Sequence, residues 1–164
     1  MVSVPKAPPP SSLSARAVMR GNRARDTSPE LGLRRELHRR GLRYRVHARP
    51  LTSAPVRADI VFARARLAVF VDGCFWHRCP DHGTSPRVNS AYWRAKLDRN
   101  VERDRESDRL LAEAGWTALR VWEHEQVEEA ADRVVAALTA LGAGVESQMT
   151  ESEGGANGSH HELH

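Results

Sequence analysis

The sequence predicts one α/β domain on a mixed sheet, and three observations carry that expectation. Short β-branched apolar runs at 58–62 and 67–71 read as strands. Segments with helical spacing stand on either side of them. A chain of 164 residues, 40% hydrophobic and 28% charged, has the composition of a globular protein and the length for one ordinary core.

Asp26-Thr27-Ser28-Pro29-Glu30 reads as a helix start, with Ser28 as N-cap and Pro29 at the first helical position. Leu33 and Leu37 supply its apolar stripe, and Gly41 its C′ stop. From Arg43 to Ala48 the chain alternates with period two, which places Tyr44, Val46 and Ala48 on one face; Pro50 and Pro55 mark the loop that follows. Ala58–Phe62 and Leu67–Val71 flank Ala63-Arg64-Ala65-Arg66 and predict a hairpin buried on both faces. Residues 73–88, rich in Cys, His, Gly and Pro, predict irregular chain. Ser90–Ala114 predicts a helix with charges at i,i+4 and Gly115 as its stop. Trp116–Trp122 then reads as a third core strand and Gln126–Leu141 as a closing amphipathic helix. The order is α-β-β-β-α-β-α, an α/β sandwich. Residues 1–15 and 143–164 predict disordered ends around a folded unit at 16–142. The tail histidines His160, His161 and His164 sit on a terminus too loose to preorganise a metal site.

The longest apolar stretch, Leu67–Val71, is far short of the ~20 residues of a membrane span, and the N-terminus has no apolar signal region. Membrane and secreted classes are therefore excluded, and a cytoplasmic, nucleoid-associated protein is expected. A net charge of +4 and a pI near 9.7 favour a polyanionic partner. Of 25 basic residues only Lys6 and Lys96 are lysines. That bias reflects either GC-rich coding or the use of arginine's flat fork on phosphates and bases. Cys74 and Cys79, among histidines in a chain with no secretory signal, suggest metal binding before a disulfide.

Three groups of residues carry chemistry. Asp59 opens an otherwise apolar run, where a carboxylate is expensive unless paired, hydrogen-bonded or bound to a cation. It reads either as a strand-edge aspartate bonding to Arg57 or as a Mg²⁺ ligand. Asp72, at the end of the paired strand, could reach the same ion, and Glu30 stands on the preceding helix. Cys74-Phe75-Trp76-His77-Arg78-Cys79-Pro80-Asp81-His82 with His124 offers two thiolates and two imidazoles, a closed tetrahedral and hence structural Zn²⁺ set: Cys74, Cys79, His82 and His124. His77 lies outside that set and is left for acid–base work. Phe75, Trp76 and Trp93 occur in polar, arginine-bearing segments, and read either as satellite core or as a wedge that enters a base stack. Arg87, Arg94, Arg99, Arg103 and Arg105 would then line the backbone groove, or else pair with Asp98, Glu102, Asp104 and Asp108 on a solvated helix face.

Met19-Arg-Gly-Asn22, Asp26-Thr-Ser-Pro-Glu30, Arg57-Ala-Asp-Ile-Val-Phe62, Phe70-Val-Asp-Gly-Cys-Phe-Trp-His77, Ala91-Tyr-Trp93, Asn100-Val-Glu-Arg-Asp104 and Gly115-Trp116 through Val121-Trp-Glu-His124 together resemble the very-short-patch-repair (Vsr) DNA mismatch endonucleases. The resemblance implies a three-layer fold like that of PD-(D/E)XK restriction endonucleases, with a central mixed sheet and a structural zinc site. It implies Mg²⁺-dependent nicking of one strand 5′ to the T of T·G mismatches that arise from 5-methylcytosine deamination, which initiates very short patch repair. By resemblance Asp59 and the Val71 carbonyl bind Mg²⁺, His77 is the general acid/base and Glu30 an assisting carboxylate. Phe75, Trp76 and Trp93 insert beside the mismatch, and Asn100, Arg20 and Arg94 join them in binding DNA. A monomer on double-stranded DNA is expected, with a functional link to a DNA cytosine methyltransferase. The chain departs from the family pattern at Asp72, where a histidine is expected, and at His124, where a cysteine is. The rival expectations are a zinc-stabilised DNA-binding module without catalysis and a nuclease of this fold with another target.

Overall fold

The computed structural model describes residues 25–84 and 87–143. Arg20 and, apart from Ala143, both expected disordered ends lie outside the described residues.

Helix α1 (Ser28–Arg39) is capped by Thr27 rather than Ser28. The Thr27 hydroxyl accepts a long 3.5 Å bond from the Glu30 N–H and donates to Glu30 Oε1 at 3.1 Å, while Glu30 Oε2 accepts from the Asp26 N–H at 2.9 Å. Glu30 stands three residues after Thr27, the Thr-x-x-Glu spacing of a capping box, with its return bond going to the Asp26 N–H one residue before the cap; Ser28 has no such partner at its own third position. Gly41, at φ 82, follows the Arg40 C-cap as the expected left-handed stop.

Strand β1 (Arg45–Ala48) is shorter than its alternation predicts, and Val46 faces solvent at 47% exposure. Two facts explain the difference. The strand lies at the sheet edge, and His47 adopts φ 46, which interrupts the regular pleat. Tyr44 precedes the strand, packs edge-on against Phe62 at 5.8 Å and donates its hydroxyl proton to the Arg34 carbonyl at 2.6 Å. β2 (Ala58–Phe62) and β3 (Leu67–Asp72) form the predicted antiparallel hairpin, with Ile60 opposite Val69 and nearly every position buried. α2 (Ser90–Glu113) carries the chain across to β4 (Thr117–Trp122), which runs parallel to β3. β4 is the other edge of the order β1-β2-β3-β4, and only Val121 in it is buried, so it is less of a core strand than its apolar sequence suggests. α3 (Val127–Ala140) closes the chain.

The layers follow from side-chain parity. Ile60, Phe62, Leu67, Val69 and Val121 point to one face, where Leu33 and Leu37 of α1 and Ala131, Val134 and Leu138 of α3 cover them. Val61, Ala68 and Phe70 point to the other, against Leu111 of α2. Helices on both faces of a mixed sheet give three layers. Because β3 and β4 are parallel, both end on one side of the molecule. Because β2 is antiparallel to β3, its start lies at that same side. Asp59, the loop after β3 and His124 thus meet at one end of the sheet. Among the described residues no helix is long and apolar enough to cross a membrane.

Candidate active site and metal centre

Asp59 is half-buried, and its Oδ2 accepts a 2.8 Å bond from the Val71 N–H of the neighbouring strand. The alternative partner, Arg57, instead donates to the His47 carbonyl. Burial pushes the Asp59 carboxyl above the ordinary carboxylate range, against the Val71 bond that favours the anion; the charges of Glu30 and Asp72 push it the same way. A carboxylate in that situation suits a cation beside it. His47 Nδ1 lies 3.8 Å from Asp59 Oδ1, and its Nε2 lies 3.2 Å from Asp26. Asp26, Glu30 and His47 offer ligand atoms within 4.8 Å of one another, but the Arg34 guanidinium already stands among them. It reaches Asp26 at 2.7 Å, Glu30 at 3.0 Å and His47 Nε2 at 2.9 Å. Glu30 is thus buried, helix-capping and ion-paired at once.

On the other side of the β3 terminus, His77 Nδ1 meets Asp104 Oδ2 at 2.5 Å and lies 3.8 Å from Asp72 Oδ1. Burial disfavours the charged ring, yet the bond to Asp104 and the charges of Asp72 and Asp104 leave its pKa above the ordinary imidazole value. Asp72 is 4% exposed, and both its oxygens accept from Arg120 Nη1, at 3.0 and 2.9 Å. Burial pushes the Asp72 carboxyl up, and Arg120 acts against that push. Asp104 and Asp108, one turn apart on α2, both face Arg120. Two acids expected on a solvated helix face therefore belong to this site.

The four cysteine and histidine residues come together as a group. Cys74 Sγ lies 3.0 Å from His124 Nδ1, Cys79 Sγ lies 3.7 Å from the same nitrogen and 3.9 Å from His82 Nδ1, and all four ligand atoms fall within 4.8 Å of one another. Tetrahedral zinc with ordinary bond lengths separates a sulfur and a nitrogen ligand by about 3.6 Å, so the donor set and its spacing fit that ion. Both thiols are free and buried, and burial together with the neighbouring Cys79 raises the Cys74 pKa to about 11. An apolar setting of that kind favours a thiol over a thiolate unless a cation is bound. The loop is held by its own backbone as well. The Cys74 N–H donates to Glu123 Oε1 at 2.7 Å, and a Cβ on Gly83 would stand 2.5 Å from the Cys79 carbonyl oxygen, which only glycine avoids.

Phe75, Trp76 and Trp93 form a cluster with centroids 5.0 to 6.0 Å apart, Phe75 edge-on to both indoles and the indoles tilted to one another, half-exposed and outside both core clusters. Lys96 Nζ lies 5.2 Å from the Trp76 ring and 5.4 Å from that of Trp93, so a cation sits on the cluster. Asn100 donates to the Trp76 carbonyl at 3.1 Å and so braces the loop. Arg94 is exposed and lies with Asp98, Arg99, Glu102 and Arg103 along one open face of α2.

Sequence reasoning missed His47, Arg34, Asp104 as a site residue, Arg120 and Lys96. The available signals were Arg120 inside an apolar strand, and Asp104 and Asp108 at i,i+4 on the helix that crosses back to it.

The profile of the family described as DNA mismatch endonuclease Vsr matches residues 12–81. The chain is 46% identical over 146 residues to the Type II nicking enzyme V.NaeI of Lentzea aerocolonigenes, covering 88% of each chain. It is 39% identical over 114 residues to the Type II nicking enzyme V.XorIIP of Xanthomonas oryzae pv. oryzae, covering 67% of this chain and 79% of the relative. Over 106 residues it is 39% identical to the DNA mismatch endonuclease Vsr of Escherichia coli, covering 64% and 66%. A match of that identity along most of both chains, over a three-layer fold that gathers the carboxylates, imidazoles and thiols at one sheet end, establishes that the chain belongs to the Vsr family of DNA endonucleases.

Proposed function

We propose that this protein nicks one strand of duplex DNA 5′ to the T of T·G mismatches and so opens very short patch repair of deaminated 5-methylcytosine. The observation that carries the reading is the convergence, at one end of the sheet, of a half-buried Asp59 held by the Val71 N–H and a His77 ring held by Asp104. Neither is needed to bind zinc or to touch phosphate, which disfavours a binding module without catalysis. The names of the relatives as nicking enzymes and as a mismatch endonuclease support the same reading.

Asp59 and the Val71 carbonyl would hold Mg²⁺, which supplies a Lewis acid that offsets charge on the scissile phosphate. Asp104, as an anion on Nδ1, leaves His77 Nε2 to take a proton from the attacking water. Glu30 adds negative charge beside Asp59 and fixes the helix start around it. Cys74, Cys79, His82 and His124 would hold a structural Zn²⁺ that pins the loop bearing Phe75, Trp76 and His77. Those rings, with Trp93 and Lys96, would enter the stack at the weakly paired mismatch, where unstacking costs least. Asn100 serves this indirectly by bracing Trp76, Arg94 contacts the backbone, and the protein acts as a monomer alongside a DNA cytosine methyltransferase.

The test is a panel of end-labelled duplexes containing T·G, T·A, C·A or U·G, incubated with Mg²⁺. Nicking confined to T·G at the bond 5′ to T supports the reading. Equal cleavage of T·A would assign the fold to another target.

A further inference from the structure

We infer that Arg120 is a positioning residue of this centre: it engages both oxygens of Asp72, so that Asp104 is the carboxylate that holds the imidazole. The inference rests on reading His77 as the proton-transfer group. Two carboxylates flank one ring nitrogen. Asp104 Oδ2 is at 2.5 Å from His77 Nδ1 and Asp72 Oδ1 at 3.8 Å, close enough for a modest ring rotation to exchange them. An imidazole N–H has room for one strong acceptor, and whichever acid wins sets the direction of Nε2.

Arg120 decides the competition through every nitrogen of its fork. Nη1 donates to both oxygens of Asp72, at 3.0 and 2.9 Å. Nη2 donates to the Asp104 carbonyl at 3.3 Å and to Asp108 Oδ1 at 3.0 Å, and Nε donates to Asp108 at 3.1 Å. Nη1 also stands 3.7 Å from Asp104 Oδ1, the oxygen that His77 does not use. The guanidinium lies over the Phe70 ring at 4.6 Å, which fixes its plane. Both Asp72 oxygens are thereby engaged by the guanidinium, with Oδ1 held 3.8 Å from His77 Nδ1, whereas Asp104 is anchored through its backbone with Oδ2 left for His77. No single ammonium can reproduce this, since the geometry asks for a planar fork serving three acids at once.

The test uses the full chain, with Arg120→Lys and Arg120→Leu measured beside Asp59→Asn on a T·G duplex with Mg²⁺. Single-turnover nicking, duplex Kd, melting temperature and the downfield Nδ1–H proton resonance of ¹⁵N-histidine-labelled protein are read for each. Arg120→Lys retains a buried cation and a folded protein; its nicking rate is expected to fall on the order of 10- to 100-fold with Kd within about twofold. The His77 Nδ1–H resonance should shift or vanish in it, a change that loss of a merely structural ion pair elsewhere would not produce. Arg120→Leu should lose at least as much rate. Folded Arg120→Lys that nicks within twofold of wild type, or retains the His77 resonance unchanged, overturns the inference even if Asp59→Asn is inactive. Wild-type-like nicking by Asp59→Asn, or by His77→Ala measured alongside, would instead overturn the underlying catalytic reading.

Discussion

Replacing Asp59 by Asn separates charge from shape at the centre of the site. Asn keeps an oxygen that can accept the 2.8 Å bond from the Val71 N–H, so no strand donor is orphaned; Ala would orphan it at a cost of about 1–3 kcal/mol. The native carboxylate carries a pKa raised first by burial and then by Glu30 and Asp72. The sign follows directly: an acid whose folded pKa exceeds its unfolded value destabilises the fold once pH rises above both, so the neutral amide should hold or add stability at pH 7. The melting temperature without added metal is therefore expected to stay the same or rise by a few degrees, at about 2–5 °C per kcal/mol for a domain of this size. The chemistry should respond in the opposite direction. Loss of the anion that would hold Mg²⁺ removes several kcal/mol of charge stabilisation, roughly 4–6, which is a fall of about 10³–10⁴-fold in rate. Single-turnover nicking of an end-labelled T·G duplex, with Kd by gel shift and a melting curve, measures all three quantities. An Asp59→Asn protein that nicks at the wild-type rate refutes the reasoning. So does one that loses activity only in proportion to a lowered melting temperature.

Removing one thiol tests the metal centre: Cys79→Ala should carry far less than the one zinc per chain expected by elemental analysis of wild type. Its loop should lose protection from hydrogen exchange before the sheet does, because Cys74 and Cys79 stand outside both core clusters. Zinc-free wild type that is soluble and active would dismiss the site. Trp76→Ala or Trp93→Ala should narrow the preference for T·G over T·A by more than it weakens binding to paired duplex, where salt-dependent arginine–phosphate contacts dominate; competition gel shifts across a salt series read this. Glu36, bonded by Arg39 and Arg40, has its pKa lowered to about 2, so it stabilises the fold above the ordinary glutamate range and loses that contribution as pH falls towards 2. Glu36→Gln should therefore lower the melting temperature at pH 7 and flatten its decline between about pH 5 and pH 2, as followed by circular dichroism.

Element types and their order were legible in the sequence because they depend on local periodicity: two apolar runs around a four-residue turn pair as a hairpin, and a 24-residue helix ends at Gly115. The Cys/His group was legible for a similar reason, since three of its four members lie within nine residues and the fourth follows the parallel neighbour strand. Edge effects were not. Val46 faces water and β4 buries little, because burial depends on which strands end the sheet, and strand order is a tertiary fact. The assignment of acids to partners was equally hidden. In sequence Asp104 and Asp108 are ordinary members of a charged helix, and Asp72 is a candidate metal ligand. Only the crossover that lays α2 against β4 brings Arg120 between them, spends Asp72 on a guanidinium and leaves Asp104 to His77. Charge pairing acts over a few ångströms, whereas these partners lie 12 to 48 positions apart, so sequence named the chemical groups and the packing of helix on sheet decided their roles.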